Sequence, residues 1–204
     1  MRIAMVTTYP PSQGSLNEYG YHFVRFLRTK IETVSELILL VDELPKNQTY
    51  SIEPVEGTVT VRIIPCWKFG MWNNALRIQA AVKREKPDVV FFNIQFATFG
   101  SGKIAATLGL MTPWLVRRNG VKTVVLLHNI METVNLKQAG FGGNLIIESV
   151  IRLFGNMVTR FILSVDMVAV TIPKYVEILS RKYETDIVLL APHGSFEEQS
   201  EEMP

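Results

Sequence analysis

The chain has 204 residues, 48% of them hydrophobic, which is enough to bury the core of an ordinary domain and excludes disorder as its main state. Its net charge is +2, and Glu197, Glu198, Glu201 and Glu202 crowd the last eight residues, so the body before them stands at +6. That mildly basic balance suits an anionic ligand or an anionic membrane surface, but it falls short of the clustered cations of a nucleic-acid binder, and no nucleic acid is expected as a partner.

In chain order, short apolar runs alternate with helical patterns. Strands are predicted at Arg2 to Thr8, Leu37 to Val41, Val59 to Pro65, Val89 to Asn93, Thr123 to His128, Met167 to Thr171 and Ile187 to Leu190. Helices are predicted at Asn17 to Arg28, Asn73 to Arg84, Gly102 to Arg118, Asn144 to Ser164 and Pro173 to Lys182. Asp42 to Glu56, with Pro45, Asn47 and Pro54, reads as a polar surface connection. Lys86-Pro87-Asp88 reads as a helix stop before a strand, because Pro87 disfavours helix in the residue preceding it. The alternation is that of parallel βαβ units, so the fold expected is α/β: a single doubly wound, mostly parallel, Rossmann-like domain over residues 1–194. Most strands are apolar throughout, which predicts a sheet covered on both faces. Residues 195–204 read as an acidic tail or the start of a linker.

No apolar run reaches the roughly 18 to 20 residues of a membrane span, and the N-terminus enters a strand pattern with no signal-peptide zones. The expected location is therefore the cytoplasm, including the inner face of the membrane. The single cysteine, Cys66, closes no internal disulfide, and His22, His128 and His193 are too scattered for a local metal motif. No metal site and no cofactor are expected.

In an open α/β sheet, ligands bind outside the carboxyl ends of the strands, where the winding direction switches. The loop after the first strand, Thr7 to Glu18, lacks the Gly-x-Gly-x-x-Gly of a dinucleotide site. Ser15 with Glu18 fits a capping box, which would aim a helix N-terminus near Gly14 at an anion; equally, Gly14 and the prolines make only a turn. His128 and Asn129 stand where Val124 to Leu127 stops being buried. His128 either donates to a sugar hydroxyl or a developing charge, or is a satisfied structural group, and Asn129 either orients a ligand or holds the loop. Asn93 and Gln95, ending the fourth strand, pair with ligand hydroxyls or with neighbouring backbone. Gly100-Ser101-Gly102-Lys103 imitates a P-loop, but that motif asks for glycine at Ala97 and Ser or Thr at Ile104. Trp114 to Arg118 joins an aromatic patch to two arginines, which suits an anionic bilayer or simply a helix end.

These segments together resemble the N-terminal domain of retaining glycosyltransferases of the two-domain GT-B fold. The carriers are Met1 to Pro11 with Gly14, Lys86-Pro87-Asp88-Val89-Val90 leading to Ile94-Gln95, Val124 to His128, Val165 to Val170, and Leu189 to Gly194. The resemblance implies a nucleotide-sugar donor as substrate, with Gly14 and Ser15 near its diphosphate and His128 and Asn129 at the transferred sugar, His128 assisting catalysis. It implies a glycan or lipid-linked acceptor across Asn17, Asn93, Gln95 and the Met131 to Gly143 loop with Glu132, and a hinge at His193 and Gly194. Two departures stand out. Ser15 occupies a position where the family commonly has a second glycine, and the family's donor-binding domain has no counterpart after Ser195. The chain is therefore expected to work with a missing C-terminal domain or a partner chain and to be inactive alone. The alternative is a non-catalytic Rossmann-like binding subunit.

Overall fold

The computed structural model describes residues 1–52, 54–133 and 145–192. Seven strands form one all-parallel sheet in the order β3-β2-β1-β4-β5-β6-β7: β1 (Arg2–Val6), β2 (Glu36–Asp42), β3 (Thr60–Trp67), β4 (Val89–Ile94), β5 (Lys122–Leu127), β6 (Met167–Val170) and β7 (Val188–Leu190). Helices α1 (Asn17–Arg28), α2 (Asn74–Glu85), α3 (Lys103–Leu110), α4 (Thr112–Arg118), α5 (Leu145–Ile162) and α6 (Pro173–Tyr183) connect them, with a 3-10 turn at Met131–Thr133 after β5. This is the Rossmann-like α/β architecture that the alternating pattern predicts.

Side chains alternate across each strand and divide the core in two. Ala4, Val6, Ile38, Leu40, Val90 and Phe92 pack with residues of α2 to α6. Ile3, Met5, Leu37, Leu39 and Val41 face the other way, toward Val24 and Phe23 of α1, and the Phe23 ring stacks on Phe91 with centroids 4.8 Å apart. Both faces are thus covered at the centre of the sheet. At the β6–β7 end the expectation of two covered faces fails: Met167 and Leu189 on the α1 side and Leu190 on the other remain exposed.

The helix predicted across Gly102 to Arg118 is two helices. Pro113 has no N–H to give the Gly109 carbonyl, and the Thr112 hydroxyl bonds that carbonyl instead at 2.5 Å, so the axis breaks at Met111. The α2 stop falls at the predicted place: Lys86 adopts a left-handed conformation (φ 49°), and its N–H bonds the Val82 carbonyl at 2.9 Å. Strand β1 ends two residues earlier than predicted, at Val6; the Thr7 N–H still bonds the Leu40 carbonyl at 3.3 Å, and its hydroxyl donates to the Thr8 carbonyl at 2.8 Å. Strand β3 ends two residues later than predicted, anchored by the buried Trp67, whose indole N–H donates to the Leu40 carbonyl at 3.1 Å.

Candidate functional site

The winding switches at β1. From there the chain steps out to β2 and β3, then returns on the other side of β1 through β4. The loops leaving the carboxyl ends of β1, β2, β3 and β4 surround a cleft of about 500 Å³ lined by Thr8, Gln13 to Leu16, Asp42, Phe69, Gln95 and Thr98, among others. It lies where an open parallel sheet presents ligand sites.

Local hydrogen bonds shape the β1–α1 loop. The Gly14 N–H donates to Ser12 Oγ at 3.2 Å, and the Ser12 hydroxyl donates to Asp42 Oδ2 at 2.6 Å. Asn17 donates its amide to the Ser12 carbonyl at 2.6 Å, bracing the loop from the first turn of α1. Glycine is required at position 14 by close approach, since a Cβ there would lie 2.2 Å from Thr8 Cγ2. Gly20, which the sequence reading did not single out, is held the same way: a Cβ would stand 2.5 Å from the Thr8 carbonyl oxygen. The capping box is not formed. Leu16 is the N-cap, no side chain caps the helix, and Ser15 instead contacts the Gln95 amide across the cleft mouth. Among the described residues, the Thr8 hydroxyl is buried without a partner, and nothing accepts from the N–H groups of Ser15 and Leu16.

Beside the cleft, four groups form a directed chain. Because the Thr7 hydroxyl is committed to the Thr8 carbonyl, it accepts from Asn93 Nδ2, at 2.9 Å. That turns Asn93 Oδ1 toward His128 Nε2, at 2.7 Å, so this nitrogen carries the proton. The imidazole also meets the Tyr19 ring edge-on, with centroids 4.7 Å apart. Burial pushes the Tyr19 phenol pKa up. Asn129 accepts the Phe96 N–H at 3.2 Å, tying the β5 loop to the β4 loop.

The structure therefore gathers Gly14, Ser15, Asn17 and Gln95 at the cleft or its wall. It buries Asn93 beneath His128 and gives Asn129 a loop-holding bond. Glu132 lies in a separate hollow of about 340 Å³ between the 3-10 turn, α5 and α6, where its carboxylate accepts from Lys182 and the Tyr183 hydroxyl. Burial and that carboxylate push the Tyr183 phenol up. His193 and Gly194 lie outside the described residues, as do residues 134–143 of the acceptor loop. The Trp114 to Arg118 patch is engaged within the fold: Arg117 pairs with Asp166 at 2.8 Å, and Arg118 lies over Trp114, itself packed on Phe161.

Asp42 and Tyr50 are the site residues that sequence reasoning missed. The Tyr50 hydroxyl donates to Asp42 Oδ1 at 2.9 Å, and burial together with that carboxylate pushes the phenol up. The available signal was Asp42 itself, the first polar residue after the apolar run of β2, at a carboxyl end that faces the same cleft. Among the described residues, no three His, Cys, Asp or Glu side chains gather as a metal site, and no helix is long and apolar enough to cross a membrane.

The fold defines a Rossmann-like α/β chain with a cleft at the β1–β4 switch. No protein-family model matches this chain, and no curated protein sequence matches it.

Proposed function

We propose that the chain is the acceptor-side half of a retaining GT-B glycosyltransferase, moving a sugar from a nucleotide donor to a glycan or lipid-linked acceptor, and that it is inactive without a donor-binding domain or partner chain. The observation that carries this reading is the set of unanswered polar groups in the cleft: the buried Thr8 hydroxyl and the N–H groups of Ser15 and Leu16 at the start of α1. N–H groups at a helix N-terminus suit phosphate oxygens. They would stabilise charge growing on the leaving diphosphate as the sugar's anomeric bond to it breaks and the acceptor oxygen bonds to that carbon on the same face, its hydroxyl proton passing to the departing phosphate oxygen. His128, oriented through Asn93 and Thr7, would position the sugar. The Ser12–Asp42–Tyr50 network keeps the loop in place while substrates exchange.

The test is an amide NMR titration of this chain with inorganic diphosphate, then with nucleoside diphosphates. Shifts at Ser15 and Leu16 are expected. Their absence, or shifts confined to other loops, would end the donor-phosphate assignment. In the enzyme completed by its donor-binding domain or partner chain, His128→Ala is expected to lower transfer by roughly two orders of magnitude.

A further inference from the structure

Among the described residues that line the cleft, Asp42 is the one charged side chain, and no lysine, arginine or histidine stands with it. Asp42 ends β2, and its carboxylate is held from both sides: the Ser12 hydroxyl donates to Oδ2 at 2.6 Å, and the Tyr50 hydroxyl donates to Oδ1 at 2.9 Å. Both donors are neutral, so they orient the carboxylate without cancelling its charge, and each oxygen keeps a lone pair for a further donor. Among the described residues no lysine or arginine pairs with Asp42; Arg77 is taken by the neighbouring Glu43. Lys68, beside Phe69 in the chain, does not line the cleft.

Phe69 lines the same cleft and is 57% exposed. It leaves a firm base. Trp67 is buried against Phe99, with ring centroids 5.2 Å apart, and the Gly70 N–H donates to the Phe99 carbonyl at 2.8 Å. An open aromatic face near a fixed carboxylate suits a sugar ring. The polarised C–H groups of the sugar's apolar face meet the negative face of the π-system, while hydroxyls at its edge donate to the carboxylate. An anionic substituent would meet Asp42 with no cation in the lining to offset the repulsion.

The cleft therefore has two unlike ends. Toward α1, the N–H groups of Ser15 and Leu16 answer an anion. Toward β2 and β3, Asp42 opposes one, and Ser12 stands between, accepting from the Gly14 N–H and donating to Asp42. We propose that the β2–β3 end selects a sugar ring free of phosphate and carboxylate groups, with its hydroxyls on Asp42 and its apolar face on Phe69. Resting on the sugar-transfer reading, this makes the acceptor free of anionic groups where it meets this chain, and makes Asp42 and Phe69 the residues that set the preference.

The experiment is an amide NMR titration at pH 7 with sugars of one ring type and different charge: neutral methyl glucoside, cationic glucosamine and anionic glucuronate. Shifts at Asp42 and Phe69 are expected with methyl glucoside, and glucosamine should bind at least as well. Glucuronate should bind there roughly tenfold more weakly or worse, and added salt should narrow that gap. Asp42→Asn should bring glucuronate to within about threefold of methyl glucoside. Tyr50→Phe removes one hydrogen bond from the carboxylate but keeps its charge, so the order of the sugars should survive it. Phe69→Ala should weaken all of them alike, with melting by circular dichroism close to wild type, since the ring is exposed. The proposal is overturned if no sugar shifts Asp42 and Phe69, if glucuronate binds there as well as methyl glucoside, or if folded Asp42→Asn discriminates as wild type does. Inorganic diphosphate, added in the same series, tells this failure from that of the transfer reading. Shifts at Ser15 and Leu16 with no sugar response strike the sugar preference alone, and sugar responses at Asp42 and Phe69 without those shifts strike the donor-phosphate assignment alone.

Discussion

His128 Nε2 lies 2.7 Å from Asn93 Oδ1, and the direction of that hydrogen bond is set two residues away, by the hydroxyl of Thr7. Thr7 follows the end of β1, Asn93 lies in β4, and His128 follows the end of β5. Three parallel strands that are neighbours in space thus fix the tautomer of one imidazole.

Asn93 has no exposed surface, and its removal takes one hydrogen bond from the residue on each side of it. Asn93→Ala leaves Thr7 and His128 without their side-chain bonds to it, and a loss of about 1–3 kcal/mol is expected in urea unfolding. In nitrogen-15 spectra of the imidazole, wild type should show the proton on Nε2, and the variant a mixture of tautomers. A variant as stable as wild type with an unchanged tautomer would show that the chain of bonds has no orienting role.

Gly14→Ala places a methyl group 2.2 Å from Thr8 Cγ2, with the loop already pinned through Ser12. The loop must move, at a cost of about 1–3 kcal/mol. Gly20→Ala collides with backbone, the Thr8 carbonyl oxygen at 2.5 Å, and should cost at least as much. Denaturation midpoints of the two variants check the order, and diphosphate titration of Gly14→Ala should show weakened shifts at Ser15.

Glu36 sits between Arg62 and Arg2, and their hydrogen bonds to its carboxylate hold it below its ordinary pKa of 4.5. A depressed acid contributes stability that is fully present above the unfolded value and is lost as pH falls through the folded one. The contribution should therefore be complete at neutral pH and fade below about pH 4.5. Because the arginines are largely solvated, it amounts to no more than about 1 kcal/mol. Glu36→Gln should be less stable than wild type at pH 7, and the gap should close on acidification. A gap that widens in acid would reverse the sign and refute the assignment.

Cys66 is buried at the end of β3, and burial pushes its thiol up to about 12. At neutral pH it stays protonated and inaccessible, so alkylation by iodoacetamide should be slow in the folded protein and rapid in urea. Equal rates in the two conditions would mean that the β3 edge opens freely.

Much of this architecture was legible in the residues alone. The seven strands and α1 follow from apolar runs and from periodicity, which are local properties, and the cleft's position follows from the general rule for parallel sheets. Gly14 and Gln95 were singled out in the same way, because each lies in a loop that leaves a strand end, and both line the cleft. The break at Met111 was also written locally, in Pro113, yet the continuous apolar pattern of residues 102–118 concealed it. The capping box was misread because Ser15 had a competing partner, Gln95, 80 residues away.

What the sequence by itself determined was which segments extend, which coil, and which strand ends could face a ligand, since each depends on neighbours within a few positions. Only the tertiary structure decided that Asp42 joins the first loop, that Glu132 belongs to a separate hollow, and that Phe69 lines the same cleft as Asp42. Those relations depend on strand order and helix packing: side chains distant in the chain meet only once the sheet has fixed which strands are neighbours.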